Sequence, residues 1–294
     1  MSDHSEGTEL LDGRPVAAGS RERTAGRVRS LRDEGTTPTL ATIAMTDDPA
    51  SERFLELKHE ACGEVGIAVR PTLLVPDAPA ERCYDAIETA SESTAVDAVF
   101  VQVPLPSHVE EFGVRESIAP TKDVDCFHST NLGRLVDGDP VVKPATAGGI
   151  LTLLDAYDIA LAGCDLTVVG RSTAIGRPLA NLLWRKAPGH DATVTACHSF
   201  TSDLMARTRQ ADVLITACGE PWLVDGAMLS PDTVVVDASA TRVETDDGQE
   251  VVGDVDFESA RPKASAITPV PGGVGPMTLA SLLENVVTLA ERRA

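Results

Sequence analysis

Short apolar runs alternate with amphipathic stretches along most of this chain, and the alternation sets the expected elements. Thr39–Met45 reads as a strand. Asp48-Pro49 supplies an N-cap and a proline at the first helical position, which predicts a helix to about Glu64, stopped by Gly66. Leu73–Val75 is a short strand candidate, Ala80–Thr89 a helix, and Val96–Val103 a strand apolar on both faces, ended by Pro104 and Pro106. A second array begins after Gly148-Gly149. It predicts a helix from Ile150 to Tyr157, a strand at Leu166–Val169, a glycine turn and a helix to about Arg185. Strands at Thr193–Cys197, Val213–Thr216, Val234–Asp237 and Ala264–Ile267 follow, and an amphipathic helix runs from Thr278 to Arg292. Met1 to Glu9 is polar and is expected to fray.

Strands apolar on both faces, alternating with helices, imply parallel sheets covered by helices. The second array has the rhythm of a Rossmann-type, doubly wound domain. The Pro/Gly/Ala stretch Val141–Gly149 marks the expected boundary, and the last helix is expected to return to the first domain. Between the last strand and that helix lies Thr268-Pro-Val-Pro-Gly-Gly-Val-Gly-Pro-Met-Thr278. Proline fixes φ and glycine lets backbone approach a ligand, so this loop is either a stiff crossover or the lining of a site.

Composition narrows the classes. The 294 residues allow two domains. A net charge of −20 argues against nucleic acid and anionic membranes as partners. No apolar run is long enough for a membrane span, and the N-terminus lacks the basic and apolar regions of a signal peptide. The six cysteines are scattered, without C-x-x-C pairs or zinc-like Cys/His spacing, so a reduced, cytoplasmic protein without a metal is expected. Lysine is confined to Lys58, Lys122, Lys143, Lys186 and Lys263. An acidic, lysine-poor surface fits either a salt-adapted protein or an ordinary acidic one.

Candidate chemistry sits at strand ends. Gly170, Ser172 and Gly176 lie between a strand and a helix, a phosphate-binding arrangement that departs from G-x-G-x-x-G. The following strand ends Ala196-Cys197-His198-Ser199, without the carboxylate that holds a ribose 2′-hydroxyl in NAD sites. Arg171, joined by Ser199 or His198, could hold a 2′-phosphate, which favours NADP over NAD. Phe54 and Lys58 share a helix face, and spacing allows Lys58 to be a snorkelling surface lysine or a partly desolvated amine. Gln102 falls at the carboxyl end of a parallel strand. Asp123 and Asp125 could hold a cationic or amide-rich ring or simply form a solvated turn.

Asp48-Pro-Ala-Ser51 with Lys58, Val101-Gln-Val-Pro-Leu-Pro106, Lys122-Asp-Val-Asp125, Asn131-Leu-Gly-Arg-Leu135, Val169-Gly-Arg-Ser172 and the Thr268–Thr278 loop occur in this order. Together they resemble the FolD family, the methylenetetrahydrofolate dehydrogenase/cyclohydrolases. The resemblance implies an α/β enzyme of two domains. Residues 10–145 plus 276–294 would form a three-layer, folate-binding catalytic domain and residues 146–275 a Rossmann-type NADP-binding domain, with folate in the cleft and the whole usually a homodimer. It implies hydride transfer from 5,10-methylenetetrahydrofolate to NADP and hydrolysis of the methenyl product to 10-formyltetrahydrofolate. Lys58 would handle protons, Gln102 would orient Lys58 and Asp125 would grip the pterin. Ser51, Phe54, Val101, Pro104, Gly272, Gly273 and Pro276 would contact folate. Gly170, Arg171, Ser172, Ile175, Gly176, His198, Ser199, Ala217 and Thr241 would contact the cofactor, with NAD a possible substitute.

The chain departs from the family pattern at several places. Phe54 stands for a tyrosine, Cys126 for a glycine, Pro144-Ala-Thr-Ala147 for Pro-Cys-Thr-Pro, Asp237-Ala-Ser-Ala-Thr241 for Asp-Val-Gly-Ile-Asn, and Phe200 for a frequent basic residue. Two alternatives follow: a dehydrogenase with weak or no cyclohydrolase activity or another pterin carrier, and a non-catalytic folate- or nucleotide-binding paralogue. Salt adaptation has its own test. The melting temperature is expected to rise with KCl concentration, and a curve that stays flat would remove that reading.

Overall fold

A computed structural model describes residues 7–187, 189–245 and 248–293. The chain runs β1 (Glu9–Leu10), α1 (Gly13–Asp33), β2 (Thr39–Met45), α2 (Pro49–Val65), β3 (Ala68–Leu74), α3 (Ala80–Glu92), β4 (Ala98–Val101), α4 (Glu111–Ser117), α5 (Ser129–Asp137) and α6 (Ala145–Ala156). It continues with β5 (Asp165–Val169), α7 (Gly176–Trp184), β6 (Thr193–Cys197), α8 (Leu204–Thr208), β7 (Val213–Thr216), β8 (Thr233–Asp237), β9 (Thr241–Thr245), β10 (Gly248–Val252), α9 (Phe257–Ala260), β11 (Ala264–Ile267) and α10 (Val274–Arg293). Two compact units result. One holds Ala18–Ala145 with the described residues from Leu279 onward; the other holds Thr146–Thr278 with the described residues up to Ala17. No helix among the described residues is long and apolar enough to cross a membrane.

The first of these units is built on a parallel sheet of order β3-β2-β4. Every residue of β2 is buried, because helices cover both faces. Ala41, Ile43 and Met45 pack on one face with Cys83, Ile87 and Ala90 of α3. On the other face, the Thr42 hydroxyl meets His59 Nε2 of α2 at 2.9 Å. Asp48 caps α2 by accepting the Ser51 N–H at 2.9 Å, and Gly66 ends it in the left-handed region. At the far end of α10, Arg293 pairs with the buried carboxylate of Asp97.

The other unit carries a parallel sheet of order β1-β11-β8-β7-β5-β6. Chain order reverses at β5, which is flanked by β6 on one side and β7 on the other. Such a switch point leaves a crevice at the carboxyl ends of the strands. An antiparallel hairpin, β9 and β10, stands between β8 and β11 in sequence.

Several sequence expectations change. Residues 1–6 of the segment expected to fray lie outside the described residues, whereas Glu9 and Leu10 pair with Ala266 and Ile267. This pairing groups the chain before Ala17 with the Rossmann-type sheet, although the sequence reading joined residues from 10 onward to the other domain. The strand expected at Leu73–Val75 is β3, which starts at Ala68 and carries Pro71 on a sheet edge, where proline is tolerated. Gly148-Gly149 does not precede a helix but lies inside α6. A Cβ on Gly149 would sit 2.8 Å from the carbonyl carbon of Met277, so glycine permits the close approach of α10. Likewise α10 starts at Val274, ahead of the expected Thr278. Gly149→Ala is expected to cost about 1–3 kcal/mol by overpacking, read as a lower midpoint in denaturant unfolding; an unchanged midpoint would show that the two helices separate freely.

Candidate active site

Lys58 lies on the buried side of α2, one turn beyond Phe54. It is 6 % exposed, and its Nζ lies 3.6 Å from the Phe54 ring centroid and 4.7 Å from that of Phe100. The Nζ donates to Gln102 Oε1 at 3.2 Å. Gln102 follows β4 directly; its backbone N–H donates to Ile43 O and its side-chain amide to Val103 O at 2.6 Å. That second bond orients the amide so that its oxygen faces Lys58. Burial lowers the ammonium pKa to about 8, with the Asp125 charge opposing the shift. Of the two options left open by spacing, the structure contains the desolvated amine.

Asp123 and Asp125 do not act as a pair of free carboxylates. Asp123 is 1 % exposed and accepts the His128 N–H at 2.9 Å and the Asn131 side-chain N–H at 2.8 Å. It anchors the loop beside β4, where Val99 N–H donates to Lys122 O at 2.7 Å. Asp125 is half-buried, and no donor among the described residues is hydrogen-bonded to its carboxyl group. Burial and the neighbouring Asp123 charge raise its pKa to about 7, while Lys58 draws it down. A carboxyl group and an amine that both titrate near neutrality suit proton transfer.

Other expected folate contacts are dispersed. Ser51 donates its hydroxyl to Asp48 at 2.7 Å within the helix cap. Val101 packs in the sheet core, and Pro104 is exposed just beyond Gln102. Gly272, Gly273 and Pro276 belong to the Rossmann-type unit. There the Gly272 carbonyl accepts the Gly13 N–H at 2.9 Å, and Gly273 N–H donates to Pro269 O at 2.8 Å.

In the Rossmann-type unit, β5 runs into Gly170, whose φ is 133°. A Cβ there would lie 2.3 Å from Ala217 O, so only glycine lets the turn press against the end of β7. Ser172 Oγ accepts the Ile175 N–H at 3.1 Å and shapes the entry to α7, where Gly176 is the first residue. Arg171 is exposed, and its guanidinium lies 5.7 Å from the Phe200 ring. Phe200 meets the His198 ring edge-on at 6.4 Å. Ser199 is exposed between them, whereas Thr241 opens the β9 strand. A bare-backbone turn at a switch point, a helix N-terminus and an exposed guanidinium fit a phosphate-rich dinucleotide with an added 2′-phosphate.

The comparisons with known proteins decide the family. The family model for the tetrahydrofolate dehydrogenase/cyclohydrolase catalytic domain matches residues 11–125, and that for its NAD(P)-binding domain matches residues 144–294. The chain belongs to the tetrahydrofolate dehydrogenase/cyclohydrolase family. It is 51 % identical over 280 residues to the bifunctional protein FolD of Haloquadratum walsbyi, covering 95 % of this chain and 90 % of the relative. It is 48 % identical to that of Halobacterium salinarum, with 97 % of both covered. The crystal structure of FolD from Campylobacter jejuni aligns with a TM-score of 0.91 at 39 % identity, covering 98 % of this chain and 100 % of that one. The Trypanosoma brucei FolD complexed with NADP cofactor and inhibitor aligns with a TM-score of 0.91 at 33 % identity, covering 98 % of each.

Set in the FolD family, the departures gain a physical reading. Cys126 has φ 59°, a backbone conformation that favours the glycine of the family pattern. Its thiol is buried and pushed up to about 12, which makes it inert. Sequence reasoning missed two residues. Phe100 lies two before Gln102 along β4, so the period of two places it toward the same lysine. Asn285 is a polar residue amid the apolar face of α10; its amide donates to Val124 O at 2.9 Å and Lys143 O at 2.7 Å. It thereby holds the residue next to Asp125.

Lys58 binds fewer protons in the folded chain than in the unfolded one between about pH 8 and 10.5. Its charge therefore opposes folding below about pH 8, and the penalty fades as pH rises toward 10.5. Lys58→Met is expected to raise the unfolding free energy at pH 7 by ~1–3 kcal/mol, with a smaller gain at pH 10. Urea unfolding at the two pH values checks this; a gain independent of pH would show that the amine is not desolvated.

Proposed function

We propose that this chain oxidises 5,10-methylenetetrahydrofolate with NADP and hydrolyses the resulting methenyl cation to 10-formyltetrahydrofolate. The single observation that carries the reading is the buried Lys58 amine, fixed by Gln102 and facing the field of Asp125. NADP supplies a hydride acceptor when bound, and Gly170, Arg171, Ser172 and the N-terminus of α7 would hold its phosphates.

The protein's own part is to place and move protons. With a pKa of about 8, Lys58 has a sizeable neutral fraction at neutral to mildly alkaline pH. The neutral amine accepts a proton from water as the oxygen bonds to the methenyl carbon. The ammonium then returns a proton to N5 as the bond from carbon to N5 breaks, and the added oxygen releases its remaining proton to water as it becomes the carbonyl of the formyl group on N10. Gln102 keeps the amine's orientation through both steps. Asp125 accepts from the pterin's amide and amino edge in a charge-assisted bond. Phe54 packs against Lys58 but brings no hydroxyl to the proton traffic.

Family resemblance supports a homodimeric, cytoplasmic enzyme that feeds one-carbon units to purine synthesis. The relatives from Haloquadratum walsbyi and Halobacterium salinarum, with the acidic surface, support work at high salt.

The test supplies methenyltetrahydrofolate and follows loss of its absorbance at high salt. Decay faster than the uncatalysed rate is expected from the natural chain. Lys58→Ala is expected to lower it about 10²–10⁴-fold while NADP binding persists. Unchanged turnover in the variant would remove Lys58 from the mechanism, and no decay with the natural chain would leave only the dehydrogenase.

A further inference from the structure

Asp254 is fully buried just beyond β10, yet the four groups it binds lie elsewhere in the sequence. Its Oδ2 accepts the Cys218 N–H at 2.8 Å, the Cys218 thiol at 3.1 Å and the Ser239 hydroxyl at 2.7 Å. Its Oδ1 accepts the Glu220 N–H at 2.7 Å. Ser239 Oγ in turn accepts the Gly219 N–H at 3.2 Å. Three successive backbone N–H groups, at 218, 219 and 220, are thus drawn onto one carboxylate, two directly and one through a hydroxyl.

The segment so held is the continuation of β7. Ala217 N–H donates to Val169 O at 2.8 Å, and Ala217 O is the atom pressed against Gly170. Residues 217–220 therefore form the wall of the switch-point crevice opposite the glycine turn, where ligands of open α/β sheets bind. A buried carboxylate is costly unless its acceptor sites are filled, so this one enforces a single shape on the wall.

We propose that Asp254 is a positioning residue for the dinucleotide, holding the Ala217–Glu220 wall in the form that accepts NADP. The inference rests on the reading that this unit binds NADP. Asparagine at 254 would turn an N–H toward donors that need an acceptor, and the wall would relax.

Asp254→Asn is expected to raise the Kd for NADP, measured by calorimetry on the protein alone, and the KM for NADP in oxidation by about ten-fold or more. Decay of methenyltetrahydrofolate, measured without NADP, should stay within about two-fold, since Lys58, Gln102 and Asp125 belong to the other unit. A purely structural residue would instead lower both activities together with the folded fraction and leave Kd and KM unchanged; that outcome overturns the proposal. Should Asp254→Asn fail to fold, Ser239→Ala decides, with an expected rise in both constants of about three-fold and the same reading of an unchanged value. A natural chain that shows no binding of NADP would overturn the cofactor reading itself, a result separable from normal binding that the variants do not alter.

Discussion

A primary amine withdrawn from water, with Gln102 as its side-chain acceptor among the described residues and two aromatic rings around it, is the constraint on which the candidate active site depends. An ammonium in water has its hydration shell; Lys58 keeps Gln102 and the faces of Phe54 and Phe100. Ring faces offer some electrostatic support for the cation, but less than the lost water. The protein thereby holds an amine close to the balance between its two protonation states. The folding penalty and the chemical readiness are the same free energy seen from two sides.

The surroundings serve to keep that amine in place. Gln102 is fixed because β4 ends there and its amide bonds back to Val103 O. Buried Asp123 holds its loop by accepting the His128 and Asn131 N–H groups on Oδ2, while Asp125 has no hydrogen-bonded donor among the described residues and is the carboxyl group available to a ligand. Asn285 reaches from α10 to the carbonyl between the two aspartates. In the Rossmann-type unit the same device recurs: Asp237 accepts the N–H groups of Ser239 and Val255, and Asp254 gathers the wall beside the glycine turn. Buried carboxylates that accept backbone N–H groups shape loops in both units.

Much of the fold was legible because its signals are local. The Asp48-Pro49 cap, the doubly apolar β2 and β4, and the strand-glycine-helix succession at β5 each follow from residues close together in the chain. Elements without such a signal escaped. The β9–β10 hairpin is largely polar on both faces, and α1 is rich in arginine and small residues. The Gly148-Gly149 pair reads as a break, yet it sits in a helix because another backbone passes close by.

The sequence by itself determined the family, the two α/β sheets and the identity of the chemical groups, since motif order and hydrophobic period are properties of the string. Only the tertiary structure decided that Lys58 is desolvated, that Asp123 is engaged and Asp125 available, and that Phe100, Asn285 and Asp254 matter. The reason is that desolvation and hydrogen-bond competition depend on which atoms surround a group, and those neighbours lie 44, 161 and 36 positions apart in the chain for the Lys58–Gln102, Val124–Asn285 and Cys218–Asp254 contacts.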